Sequence, residues 1–161
     1  ETAIARHKAI SVCKSDLIWF TDCDYLFLRE CFASVHRSWI AHQKPDMIWP
    51  RCYLANMEKG PIDRYCQIPV RGVSLPDLQR FEYYKCPRAI GGVQCVSGEY
   101  ARTHGYLPNS KWQNIPTRPF PDFRDDVAFR KTLEKNGRSE PVASFAGLYR
   151  LRHTEVGYGN G

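Results

Sequence analysis

Three features are missing from this sequence of 161 residues, and each absence argues against a class of protein. No apolar run approaches the roughly 20 residues of a membrane-spanning helix, so the sequence offers no candidate for one. None of the seven cysteines forms a Cys-x-x-Cys pair, which argues against a structural zinc cluster. No basic run exceeds two residues, and the 23 Lys and Arg are interleaved with 17 Asp and Glu. The net charge of +6 is therefore diffuse, and we expect no nucleic-acid partner.

The sequence also lacks an initiating Met and a basic-then-apolar leader, so no signal peptide is indicated. It opens as if in the middle of a helix, and we expect a fragment of a larger fold. Residues 1–161 have the length of a single domain with one core. Several cysteines lie in apolar stretches, which favours reduced thiols and a cytoplasmic protein. Diffuse positive charge also suits peripheral association with the inner face of a membrane.

Hydrophobic patterning in the first third predicts alternating helices and strands. The expected elements are a helix from Thr2 to Val12, a strand at Leu17 to Phe20, a helix from Arg29 to His42 and a strand beginning at Met47. The continuous apolar run Leu17-Ile18-Trp19-Phe20 is typical of a strand buried on both faces, as in a parallel sheet. The pattern therefore predicts an α/β domain with a central, mostly parallel sheet flanked by helices.

The remaining two thirds are less regular. A long excursion runs from Asn56 to Ile90, with a short helix expected near Asp77 to Tyr84. We then expect a strand at Ile90 to Val96, a helix capped by Ser97 and ended by Gly105, a helix from Asp122 to Asn136, and two short strands between Pro141 and Arg152.

The strongest chemical motif is Asp22-Cys23-Asp24, which follows the apolar strand directly. Two carboxylates at the carboxyl end of a buried strand can converge on one hard divalent cation. A solvated turn is the alternative interpretation of so short a motif.

Three further motifs have two interpretations each. Asp125-Asp126 opens a helix. The pair either interacts favourably with the helix dipole or supplies a general base. His153 is a surface residue or a metal ligand, and Arg150 and Arg152 could bind a diphosphate. Gly91-Gly92 permits close approach of a ligand or forms a tight turn.

Taken in order, these motifs resemble the GT-A glycosyltransferases, most closely the branch of β-1,4-galactosyltransferases and polypeptide N-acetylgalactosaminyltransferases. The resemblance rests on stretches spread over nearly the whole chain. They are Ala5 to Ile10, Asp16 to Asp24, Ala89 to Gln94 with Gly105 to Asn109, Asp125-Asp126, and Leu151-Arg152-His153. The resemblance implies that the chain is the C-terminal portion of a GT-A domain, with the metal and acceptor side but without the N-terminal nucleotide-binding portion.

The resemblance also implies roles for individual residues. Asp24, Asp22 and His153 would hold Mn²⁺ or Mg²⁺, and Asp22, Arg150 and Arg152 would contact a nucleotide-diphosphate sugar. Asp126 would be the base, with Asp125 binding acceptor or sugar. Sugar or acceptor contacts fall to Gly91, Gly92, Tyr106, Trp112 and Phe120, although core packing is an equal alternative for the three aromatic residues.

The implied function is transfer of a sugar to an acceptor hydroxyl with inversion, the acceptor being a carbohydrate, a lipid-linked molecule or a protein. Two alternatives remain open. One is a retaining GT-A transferase, which would share the metal site but not the base. The other is an inactive nucleotide-sugar or carbohydrate-binding module of the same fold.

Overall fold

The computed structural model describes residues 2–22, 24–56, 81–106 and 125–151. Within these ranges the helices are α1 (Thr2–Val12), α2 (Arg29–Ala41), α3 (Gly98–His104) and α4 (Asp125–Asn136). The strands are β1 (Leu17–Phe20), β2 (Tyr25–Phe27), β3 (Met47–Asn56), β4 (Phe81–Lys85), β5 (Gln94–Ser97) and β6 (Ser139–Arg150). A short 3-10 helix, Gly91–Val93, leads into β5. The expected α/β class is confirmed.

The six strands form one mixed sheet in the order β1-β5-β3-β6-β2, with β4 also paired to β3. Among the described pairings only β3 and β6 run parallel, while β1 with β5, β3 with β5, β3 with β4, and β2 with β6 are antiparallel. The prediction of a mostly parallel sheet is therefore wrong. Its basis was the continuous apolar run of β1, and such a run reports packing on both faces rather than strand direction.

Helices pack on both faces of this sheet. Adjacent side chains of a strand point to opposite faces, so Met47 and Ile48 of β3 enter different cores. Ile48 lies with the buried side of α2, which consists of Cys31, Val35 and Trp39. Met47 lies with residues of the other three helices, namely Ile10, Tyr100, Ala101, Phe129 and Leu133.

Helix α3 illustrates how the local sequence sets its ends. The backbone N–H of Tyr100 donates to Ser97 Oγ at 3.4 Å, which satisfies one free donor at the helix N-terminus. Gly105 follows the last turn with φ +70°, a conformation that glycine adopts without steric cost. The predicted cap and stop of this helix are confirmed.

Three local predictions are wrong. The strand expected at Ile90 to Val96 begins only at Gln94, because Gly91–Val93 form a 3-10 helix. Phe81–Lys85 is a strand paired with Cys52 to Asn56, whereas a helix was expected to extend to Tyr84. Its aromatic residues fit a pleated surface better than a helix, and residues 77–80 lie outside the described ranges. The two short strands expected after Pro141 are one strand, Ser139–Arg150. Its extra residues are accommodated at a register shift, near which Gly147 has φ +72°.

No helix in the described part of the chain is both long enough and apolar enough to cross a membrane.

Candidate functional site

The predicted motifs converge at one end of the sheet. Strand β1 ends at Phe20, which pairs with Gln94, the first residue of antiparallel β5. The segment after β1 therefore lies beside the 3-10 helix that precedes β5. On the far side of the sheet β6 ends at Arg150, which pairs with Ala55 near the end of parallel β3. The carboxyl ends of β1, β3 and β6 therefore lie at the same end of the sheet, where polar side chains from distant segments can meet.

Gly92 allows both the Tyr25 ring and the Asp22 carboxylate to lie close to its backbone. A Cβ added at Gly92 would lie 2.1 Å from Tyr25 Cε2 and 3.0 Å from Asp22 Oδ2. No side chain fits in that space, so the absence of a Cβ permits both residues to pack against Gly92. The Asp22 side chain remains 46% exposed, which leaves its carboxylate accessible to a ligand.

Asp24 is paired with Arg150. Arg150 Nε donates to Asp24 Oδ2 at 2.9 Å, and the Asp24 side chain is only 12% exposed. The guanidinium also donates to the Tyr53 hydroxyl at 3.3 Å and lies 5.4 Å from the centre of the Tyr25 ring. Asp24 Oδ1 is buried and has no hydrogen-bond partner. Arg150, predicted to contact a diphosphate, is thus held beside the aspartate motif by an ion pair.

Arg6 connects the aspartate motif to the acidic pair of α4. Its guanidinium donates to Asp22 Oδ1 at 2.9 Å and to the Tyr106 hydroxyl at 2.7 Å. The same group lies 3.7 Å from Asp125 Oδ2. Sequence reasoning did not single out Arg6 for this role. Its partners stand 16 to 119 positions away along the chain, and no local pattern identifies such pairs.

Asp126 lies against the first glycine of the Gly91-Gly92 pair. A Cβ on Gly91 would be 3.1 Å from Asp126 Cβ and 3.2 Å from Asp126 Oδ2. The buried Gln94 side chain also donates from Nε2 to the Asp126 carbonyl at 3.1 Å. The structure therefore brings α4 and its acidic first turn against the glycine pair, and the glycine pair against Asp22.

Most of the buried side-chain polar atoms without a hydrogen-bond partner are at this end of the described structure. They are Asp24 Oδ1, Tyr25 Oη, Gln94 Oε1 and Asp125 Oδ2; Tyr100 Oη and Arg130 Nε are elsewhere. Buried polar groups in folded proteins are nearly always hydrogen-bonded, and each exception calls for an explanation. A bound ligand or ordered water between these groups would satisfy them.

Burial raises the pKa of the Tyr25 hydroxyl, although nearby Arg150 acts in the opposite direction. Burial likewise raises the pKa of Tyr106, and Arg6 opposes the shift. Both hydroxyls therefore stay protonated at neutral pH and can donate a hydrogen bond.

Of the three aromatic residues predicted to contact a sugar, only Tyr106 lies within the described ranges. Tyr106 is fully buried; its ring stacks on Phe129 with centroids 4.7 Å apart and meets Phe20 edge-on at 4.8 Å. Its described contacts are thus those of a core residue that also orients Arg6. Trp112, Phe120, Arg152 and His153 lie outside the described residues.

The oxygen atoms available as metal ligands suit a hard divalent cation only in part. Carboxylate oxygens are the ligands that Mg²⁺ and Mn²⁺ prefer. Asp22 and Asp24 each give one oxygen to an arginine, which leaves Asp22 Oδ2 and Asp24 Oδ1 for a ligand. Within the described ranges no three His, Cys, Asp or Glu side chains are grouped so as to hold a metal. Both Cys23 and the predicted ligand His153 lie outside those ranges.

Comparison with known proteins identifies no relative: no protein-family model, no curated protein and no solved structure matches the chain.

Proposed function

We propose that this chain is the metal- and acceptor-side part of a glycosyltransferase that moves a sugar from a nucleotide-diphosphate sugar to an acceptor hydroxyl. The observation that supports the proposal most is the convergence of three motifs separated by about 70 and 35 positions. Asp22 contacts Gly92, and Gly91 contacts Asp126. A structural role for each motif alone would not require them to meet.

Asp22 and Asp24 are the proposed metal-binding residues, through the oxygens that the arginines do not use. A bound Mn²⁺ or Mg²⁺ would supply Lewis-acid neutralisation of the leaving diphosphate. Arg6 and Arg150 hold the two carboxylates in place and keep positive charge beside the position proposed for that diphosphate.

Asp126 is the proposed general base for the acceptor hydroxyl. Its side chain is half-buried at the first turn of α4, and its carboxylate oxygen faces Gly91. Because glycine has no side chain, Asp126 packs directly against the Gly91 backbone, and there we propose that it takes the proton of the acceptor hydroxyl. Asp125 is turned toward Arg6 instead, which favours Asp126 of the pair.

One observation favours a second candidate, a binding module without turnover. Both aspartates of the motif are already neutralised by arginine at 2.9 Å. A site whose carboxylates are paired in this way could bind a polar ligand without a metal ion.

Titration of the chain with a panel of nucleotide-diphosphate sugars, with and without Mn²⁺, tests the proposal and separates the two candidates. We expect at least one donor to bind in a Mn²⁺-dependent manner, and we expect Asp24→Asn to abolish that dependence. Asp16→Asn is the matched control, since Asp16 is exposed and precedes β1 at its other end.

Donor binding that is independent of Mn²⁺ would support the binding module and contradict the metal-dependent transferase. If turnover is detected, Asp126→Asn should abolish it with little change in donor binding. Retention of the anomeric configuration in the product would contradict an inverting reaction with Asp126 as base.

A further inference from the structure

Tyr25 is a buried residue whose hydroxyl has no partner in the protein. Only 6% of the residue is exposed, yet Tyr25 Oη lacks a hydrogen bond. Leaving a buried hydroxyl unpaired destabilises a fold, typically by more than its hydrogen bond would contribute. A phenylalanine at this position would avoid that cost, and a bound ligand or water that accepts from the hydroxyl would remove it.

The surroundings of Tyr25 fix the direction of the ring. Its backbone is held in β2, where Tyr25 pairs with Arg150 of β6. The ring packs against Tyr53, with centroids 6.0 Å apart, and under the Arg150 guanidinium. Its Cε2 and Cζ atoms border Gly92 at the point where Asp22 Oδ2 also approaches. The phenolic end is therefore directed to the same place as the accessible carboxylate.

We propose that Tyr25 is a ligand-positioning residue, whose hydroxyl donates a hydrogen bond to an oxygen of the diphosphate that a metal ion would hold at Asp22 and Asp24. This inference rests on the proposed function, because it requires an oxygen-rich ligand at that place. A protonated hydroxyl beside Asp22 Oδ2 can donate its hydrogen to a ligand atom that accepts one, as a phosphate oxygen does. Asp22, Gly92 and Tyr25 together form what we call the site triplet.

The chain contains a matched control for this inference. Tyr100 is equally buried, at 6% exposed, and its hydroxyl is also without a partner. It lies in α3, which follows the end of β5 farthest from the site triplet. Tyr25→Phe and Tyr100→Phe therefore remove the same atom from the same degree of burial, but only the first removes it from the site.

The experiment measures the binding of Mn²⁺ alone and of Mn²⁺ with inorganic pyrophosphate, by calorimetry, together with urea unfolding midpoints. Tyr25→Phe should weaken pyrophosphate binding roughly ten- to hundredfold, the effect of losing a hydrogen bond to a charged group. Its affinity for Mn²⁺ alone should stay within about twofold of wild type, and its midpoint should be equal or higher. Tyr100→Phe should have the same urea unfolding midpoint as Tyr25→Phe, and it should bind pyrophosphate as the wild type does.

Each other outcome contradicts a specific claim. Wild-type pyrophosphate affinity in Tyr25→Phe would overturn the role of Tyr25 and leave the proposed function intact. An equal loss in Tyr100→Phe, or a lowered midpoint in Tyr25→Phe, would show a structural role and overturn the inference. Failure of the wild-type chain to bind Mn²⁺ with pyrophosphate would overturn the proposed function as well.

Discussion

The two ends of the central sheet hold the same three residue types in similar contacts. At the end opposite the site triplet, a Cβ on Gly137 would lie 2.9 Å from both Asp46 Oδ2 and Tyr100 Cε2. We call Asp46, Gly137 and Tyr100 the distal triplet. In both triplets a glycine separates an aspartate from a buried tyrosine, so residue types and proximity alone do not distinguish the two ends.

The partners of the aspartates do distinguish them. Asp46 Oδ2 accepts from the backbone N–H of Arg138 at 2.7 Å, and the Asp46 carbonyl accepts from Ser97 N at 2.8 Å. The first bond ties the turn between α4 and β6 to the residue before β3, and the second ties that residue to β5. Asp22 and Asp24 instead pair with arginine side chains from distant segments. An acid that satisfies backbone donors stabilises a turn, whereas an acid held by side-chain cations can exchange them for a ligand.

The largest expected effect comes from adding a methyl group to each triplet. Gly92→Ala should displace the Tyr25 ring, because the new Cβ would lie 2.1 Å from Cε2. We expect a loss of about 1–3 kcal/mol in the free energy of unfolding, the usual cost of overpacking. Binding of Mn²⁺ with pyrophosphate should fall by more than about tenfold, which corresponds to 1.4 kcal/mol.

Gly137→Ala is the matching change in the distal triplet. It should destabilise the fold by a similar or smaller amount, because its contacts are longer, and it should leave ligand binding unchanged. Urea unfolding and calorimetry on both variants give the comparison. Equal losses of ligand affinity in the two variants would mean that the ends do not differ in function.

A smaller effect is expected from the arginines at the two ends. Arg6 is 13% exposed and bonds to both Asp22 and Tyr106, so Arg6→Gln should cost about 2 kcal/mol of folding stability. Arg138 is exposed, and its side chain donates to the carbonyls of His42 and Gln43, so Arg138→Gln should cost about 1 kcal/mol.

The amide chemical shifts of the two arginine variants supply the sharper measurement. Arg6→Gln should move the signals of both Asp22 and Asp125, which stand on different elements and share Arg6 as a partner. Arg138→Gln should move neither. If Arg6→Gln affected only one of the two aspartates, the proposed link between the motif and α4 would be absent.

Local sequence patterns predicted most helices and strands but not the way the strands are arranged. The helix Thr2–Val12 and the strand Leu17–Phe20 match their predicted bounds, since apolar spacing and breakers act within a few residues. Strand direction depends on partners far along the chain, and the parallel sheet inferred from Leu17–Phe20 was wrong. Likewise two short strands were expected between Pro141 and Arg152, where β6 continues through an irregular register.

The candidate site could likewise be predicted from the sequence only in part. The motifs themselves are short and could be recognised in the sequence, and Asp22, Gly91, Gly92 and Asp126 are in contact in the structure. Arg6 and Tyr25 were missed because their significance comes from partners or from an unsatisfied atom. Neither an ion pair across 119 positions nor an unpaired hydroxyl leaves a pattern in neighbouring residues.

The most direct test of a functional difference between the two ends is paramagnetic broadening of amide NMR signals by substoichiometric Mn²⁺, with Mg²⁺ as the diamagnetic reference. Mn²⁺ bound at the aspartate motif should broaden the amide signals of Asp22, Gly92 and Asp126 first. The signals of Asp46, Gly137 and Tyr100 should keep their intensity under the same conditions. Broadening that is absent, equal at both ends, or stronger at the distal triplet would contradict the proposed metal site.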